Sequence, residues 1–165
     1  MIVGIDPGLD GAIAVLCKGA APEAAPMPTL GTGRRELDFG FIRSHLHAYH
    51  VQGNVHVVIE KQQAMPKQGV SSTGVTMRNY GLIEGVCIGV GIPYTIVPPR
   101  EWQKVMLSGV SKKLNTKAAS ILIAKRLYPG VSLRATERCT TDHHGMSDAL
   151  LIAEYGRRTK GGDAT

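Results

Sequence analysis

Asp142, His143, His144 and Asp148 lie within one seven-residue stretch, immediately ahead of the apolar run Ala149 to Ala153. Carboxylates and imidazoles gathered this closely could ligate a divalent cation, or could form a solvated loop before an ordinary helix. Two more carboxylates close apolar runs: Asp6 in "MIVGIDPG" and Glu60 in "NVHVVIE". Carboxylates that converge repel one another, and a divalent cation offsets that repulsion. Ligands rich in oxygen favour Mg²⁺ or Mn²⁺ over zinc. Each residue also has a plainer reading alone. Asp6 before Pro-Gly suits a turn, Glu60 a solvated strand end, and Asp148 a helix first turn favoured by the dipole. Cys17, Cys87 and Cys139 lack CxxC spacing and are odd in number, which argues against a thiolate zinc site and for reduced thiols in a cytosol-like compartment.

Secondary-structure elements must bring these points together. "MIVGIDPG" and Ala12 to Cys17 read as two strands separated by "PGLDG", which predicts a hairpin. The Pro- and Ala-rich "GAAPEAAPMP" breaks regular structure and leaves room for a third, edge strand. Glu36 to Tyr49 carries Leu37, Phe41, Ile42, Leu46 and Tyr49 at helical spacing. Asn54 to Glu60 reads as a buried strand, followed by the polar loop "KQQAMPKQGVSSTG". Val75 to Val90 reads as a helix with Gly81, Gly85 and Gly89 on one face. "PYTIVPP" reads as a strand and Glu101 to Leu107 as a short helix. A basic loop leads into a helix from Thr116 to Tyr128, with Ile121, Leu122, Ala124 and Leu127 inward. Met146 to Arg158 is the last predicted helix. A hairpin followed by alternating elements predicts an α/β fold, a mixed β-sheet flanked by α-helices. In such a sheet the first strand and the Glu60 strand can lie side by side with both carboxylates at one end.

At 165 residues and 43% hydrophobic content, a single domain spanning 1–165 with a sizeable core is expected. No apolar run approaches the roughly 20 residues of a membrane span, and the N-terminus does not read as a signal peptide. A net charge of +6 favours an anionic partner, nucleic acid first, though solubility alone would explain it too. Aromatic content of 5% disfavours an extended base-stacking platform.

Four stretches in this order resemble the RuvC family of Holliday-junction resolvases, which have the RNase H-like fold. "IVGIDPGLDGAIAVL" resembles the family's first hairpin with its catalytic acid, matched by Asp6. "HVVIEK" resembles the strand with the catalytic Glu, matched by Glu60, with Lys61 beside it. "SDALLIAEYG" resembles the start of the last helix with its catalytic acid, matched by Asp148. "SKKLNTKAASILIAKRLYP" resembles the basic stretch that contacts DNA phosphates, which points to Lys112, Lys113 and Lys117. The bacterial enzymes carry a fourth ligand three residues before the last acid, where this chain has Gly145. The spacing of "HHGMSDALLIA" is closer to the plastid and phage branch, and His144 stands at that branch's acid position; Asp142 and His143 are its competitors. The family's aromatic wedge position is occupied by Gln63, with Met65 the nearest apolar residue.

The resemblance implies a homodimeric, Mg²⁺-dependent endonuclease of four-way DNA junctions that leaves 5′-phosphate ends. Two ions about 4 Å apart would be held by Asp6, Glu60, His144 and Asp148, with Mn²⁺ able to substitute. It also implies a bacterial or phage-infected host cytoplasm. Three rivals stand beside it. An RNase H-like nuclease for flaps or RNA–DNA hybrids would use the same metals on another surface. A module that binds branched DNA without cutting would not need all three acids. An actin-like phosphotransferase needs two lobes that 165 residues do not provide. The glycine face of the Val75 to Val90 helix suits either a dimer interface or packing on the sheet.

Overall fold

In the computed structural model, residues 1–33, 35–64, 69–111 and 113–160 are described. Met65 and Lys112 lie outside them, and with them the apolar wedge candidate and one of the predicted phosphate-binding lysines. Strands β1 (Ile2–Asp6) and β2 (Ala12–Leu16) form the predicted hairpin, antiparallel with Ile2 opposite Leu16 and Asp6 opposite Ala12. β3 (Glu23–Pro26) pairs antiparallel with β2 and forms the expected edge. An edge tolerates Pro22 and Pro26, which have no N–H to give to a ladder.

β6 (His56–Glu60) pairs parallel with β1, and β7 (Tyr94–Val97) pairs parallel with β6. The sheet order is β3-β2-β1-β6-β7, a mixed sheet as the alternation of elements implied. Ile5 sits opposite Ile59, so the next residues along, Asp6 and Glu60, emerge at the same sheet end. A separate two-stranded ribbon joins β4 (Thr29–Leu30) to β5 (Glu36–Leu37). Glu36 and Leu37, expected in a helix, are therefore strand residues. The helix α1 (Phe39–Gln52) starts after Asp38, whose carboxylate accepts from Phe41 N at 2.9 Å.

Helices cover both faces. α1 and α2 (Val70–Val90) bury Ile42, Leu46, Tyr80, Ile83 and Cys87 against one side of β1 and β6. α2 begins five residues before the predicted start, so "VSSTG" is its first turn rather than loop. Gly81, Gly85 and Gly89 are exposed, and a Cβ at any of them would meet nothing within 4 Å. That excludes sheet packing as their role within the chain.

The other face is covered by α3 (Pro99–Met106), α4 (Thr116–Leu127) and α5 (His144–Lys160). α4 buries Ala119, Ser120 and Ala124, while Leu122 is 52% exposed and Leu127 also reaches solvent, so two residues expected inward are not. α5 lies over β1 at close range. A Cβ on Gly4 would collide with the Ala149 carbonyl oxygen and the Ala153 nitrogen. α5 also starts two residues before its predicted start, which puts His144 in its first turn and Asp148 one turn further in. Among the described residues, no helix is long and apolar enough to cross a membrane.

Candidate active site

Asp6, Glu60 and Asp148 come from β1, β6 and α5, three segments far apart in sequence, and meet at one end of the sheet. Asp6 ends the central strand, where Gly8 N donates to its Oδ1 at 3.4 Å. Burial raises its pKa to about 6, with Asp10 adding to the rise. Glu60 is pushed up to about 7 by burial and then by the charges of Asp6 and Asp148. Asp148 rises to about 6, again through burial first and with Asp6 contributing. Three carboxyl groups all raised by burial, with Asp6 adding to the rise of both Glu60 and Asp148, are the electrostatic signature of a site awaiting positive charge.

Two hydrogen bonds fix the Glu60 carboxylate. Trp102 Nε1 donates to Oε1 at 2.9 Å, and Gln62 Nε2 donates to Oε2 at 3.1 Å. Trp102 is fully buried on α3, and its sole polar atom is spent on Glu60. The sequence reading missed this residue. The signal was present: a chain with one tryptophan, placed in a short helix behind Pro98 and Pro99, had to find a partner for a buried indole N–H.

Asp148 has a different environment. Ser120 of α4 is near enough to pull its pKa down, yet the two groups do not meet hydrogen-bond geometry. Ser120 Oγ and Asp148 Oδ1 are the buried side-chain atoms that have no partner among the described residues. An orphaned carboxylate oxygen is costly unless something else engages it.

The three candidates for a fourth ligand are placed differently. Asp142 forms an ion pair with Lys125 at 2.7 Å. His143 receives Met146 N on its Nδ1 at 3.3 Å and so caps α5. His144 lines a cavity of about 530 Å³ together with Asp6 and Asp10. Burial, then Lys117 and His143, lowers the His144 pKa, which favours the neutral imidazole that a metal requires. Its interactions run to Asp10, Lys117 and His143.

A divalent ion can be tested against this donor set. Among the described residues, no group of three or more His, Cys, Asp or Glu side chains is arranged to close on one ion. Mg²⁺ does not need such a cage. It is commonly held by one or two carboxylates, with waters and substrate phosphates completing the octahedron. The raised pKa values and the orphaned Asp148 oxygen fit an ion of that kind.

Two of the predicted phosphate contacts, Lys61 and Lys117, lie at the same end. Lys117, in the first turn of α4, acts on both Asp148 and His144. Lys61 is exposed beside a cleft of about 470 Å³ that also includes Glu60, Gln63 and Arg100. Arg100 was not anticipated. Lys113 sits in an exposed turn just before α4.

No protein-family model and no curated protein matches the chain. Solved structures do. The chain is similar to the Thermus thermophilus RuvC structure at 15% identity and TM-score 0.52, with 96% of both chains covered. It is also similar to T. thermophilus RuvC in complex with a Holliday junction substrate, at 15% identity and TM-score 0.57, covering 96% of this chain and 95% of that one. A third likeness is to the yeast mitochondrial Holliday junction resolvase Ydc2, at 12% identity and TM-score 0.53, over 97% of this chain and 78% of that one. At these identities the likeness establishes the fold, which is the RuvC-like, RNase H-like arrangement expected from the motifs.

Proposed function

We propose that this chain is a metal-dependent endonuclease that resolves four-way DNA junctions by paired symmetric nicks, serving recombination and repair. The observation that carries the reading is the meeting of Asp6, Glu60 and Asp148, all held above the usual carboxylate range, at one end of a RuvC-like sheet. The His144 position further suggests a form nearer the plastid and phage branch than the bacterial one.

Asp6, at the end of the central strand, would hold the ions together with its neighbours. Asp148 would offer its free Oδ1, Glu60 a carboxylate oriented by Trp102 and Gln62, and His144 a neutral nitrogen. Bound Mg²⁺ or Mn²⁺ would supply an activated water and charge stabilisation for the leaving 3′ oxygen. Lys61, Lys112, Lys113 and Lys117 would hold phosphates, so removal of one weakens binding across sequences and lowers the salt slope by about one unit.

Paired nicks require a two-fold assembly. The exposed Gly81, Gly85 and Gly89 face of α2 is the surface we assign to that homodimer, because it admits a close neighbour.

The test is a product map on a synthetic four-way junction with Mg²⁺, alongside a flap, an RNA–DNA hybrid and linear duplex. Symmetric nicks with 5′-phosphate ends are expected. Asp6→Asn, Glu60→Gln and Asp148→Asn should each abolish nicking while junction binding survives. Preferential cutting of flaps or hybrids would replace the junction by another substrate. Junction binding without any Mg²⁺-dependent nick would leave a binding module instead.

A further inference from the structure

Asn79 is a buried polar side chain with no task inside the fold. It is 3% exposed on the inward face of α2, one turn before Ile83. No hydrogen bond to its carboxamide occurs among the described residues, and its amide is not one of the sealed side-chain atoms that lack a partner, so it faces the cavity rather than the core. It lines the same cavity of about 530 Å³ as Asp6, Asp10 and His144. That volume is within the range of small-ligand sites.

The opposite wall is the first turn of α2. Ser71 and Ser72 line the cavity, and the cap residue Gly69 offers no side chain to the helix end. The first N–H groups of a helix have no partner within it and favour negative charge. One wall thus carries neutral donors: backbone N–H groups, the Ser71 hydroxyl and the Asn79 amide. The other wall carries carboxylates, of which Asp10 is already paired with Arg35 at the rim. Only Asp6 lacks a cation.

We infer that this cavity binds a phosphodiester of the substrate strand, seated between the α2 donors and a cation on Asp6, with the Asn79 amide hydrogen-bonded to a phosphate oxygen. The inference rests on the proposed nuclease reading and locates the strand within the site. It places the phosphate on the Asp10 side of Asp6, away from the Lys61 and Arg100 cleft that flanks Glu60.

The test combines stability, ligand binding and rate for Asn79→Leu, with Asn79→Ala read in the same way if the leucine variant does not fold. A side chain that bonds nothing in the fold can be made apolar at no cost, so the metal-free Tm is expected to stay level or rise. With Mg²⁺ present, thymidine monophosphate should raise the Tm of the wild type and not that of the variant. Single-turnover nicking of a junction should fall by about 10²–10³, the range for loss of one donor to a developing oxyanion. A variant that loses several degrees without ligand has lost a structural residue, which overturns the inference. So does a variant that responds to the nucleotide and nicks as the wild type does, or a wild type whose Tm the nucleotide does not move. A wild type that cuts no junction but shows the Asn79-dependent shift would sink the nuclease reading and leave the phosphate site standing.

Discussion

The Glu60 carboxylate has both oxygens occupied before any ion arrives, and that sets how it can act. Trp102→Phe keeps an aromatic ring but removes the donor to Oε1 and part of a fully buried indole. Loss of a group that orients a metal ligand costs about 10–100-fold in metal affinity or activity. The expected outcome is a Mg²⁺ midpoint for nicking raised by at least tenfold and weaker Mn²⁺ binding by calorimetry, beside a Tm lowered by the smaller ring. Unchanged Mn²⁺ binding would show that the indole only packs. His144 gives a second prediction. His144→Ala should lose most activity, while His144→Asp should retain much of it and extend it to lower pH, because a carboxylate stays ionised where an imidazole protonates. Nicking rates against pH for both variants, with His143→Ala and Asp142→Ala beside them, decide the assignment. A dead Asp142→Ala or His143→Ala with an active His144→Ala would move the ligand. At this scale the acids were legible because Asp6 and Glu60 each close an apolar run and Asp148 stands directly ahead of one. Trp102, Ser120, Asn79 and Arg100 were not, because their roles depend on which helix face meets the sheet end, and no local spacing encodes that.

Two helices carry consequences of their own. Gly145 brings the start of α5 against the β1–β2 turn; a Cβ there would lie 2.5 Å from the Asp10 carbonyl oxygen and 2.9 Å from Gly11. Gly145→Ala should push α5 outward and displace His144. Overpacking of this kind costs about 1–3 kcal/mol, with Tm falling by about 2–4 °C per kcal/mol in a protein of this size. Calorimetry and nicking should fall together. A variant with wild-type Tm would mean the helix end yields freely. α2 presents the opposite case, since its glycine face meets open space. Gly85→Arg should leave the monomer stable but shift sedimentation from dimer to monomer and uncouple the two nicks; an intact dimer would put the interface elsewhere. The sequence indicated the existence of almost every element but placed several ends wrongly. The apolar period predicted a helix from Glu36, yet Glu36 and Leu37 pair with Leu30 and Thr29 and the Asp38 cap starts the helix later. "VSSTG" read as loop because polar residues and Gly resemble one, while the helix it begins has an exposed outer face that tolerates them.

For the whole molecule, two sets of carboxyl groups pull stability in opposite directions with pH. Asp6 and Asp148 at about 6 and Glu60 at about 7 lie above their ordinary values, so in metal-free protein the stability they contribute is lost as pH rises through that range. Glu154 behaves the other way. Burial alone would raise it, but hydrogen bonds from Arg157, Tyr128 and Arg158 win and bring it to about 2. Its contribution is complete above its ordinary range and fades as pH falls toward 2. On these groups metal-free protein should be most stable near about pH 4 and lose stability from there to about pH 7, and Mg²⁺ should raise Tm more at pH 8 than at pH 5. Asp148→Asn should raise the metal-free Tm at pH 8 and blunt the Mg²⁺ response. A metal-free Tm that climbs steadily from pH 5 to pH 8 would contradict the shared burial of the three acids. The mixed sheet itself was readable from the hairpin and the alternation after it, since parallel neighbours need the crossovers the sequence supplies. The way α5 seats its backbone on Gly4 has one more consequence. Residues 144–160 are the last described element to leave the ribosome, and chains fold from the N-terminal side as they are made. Until they emerge, β1 lacks the helix that covers it, and Asp6 and Glu60 have no third acid. The growing chain thus carries a built-in delay: on the proposed nuclease reading, the three acids come together only after α5 has been made.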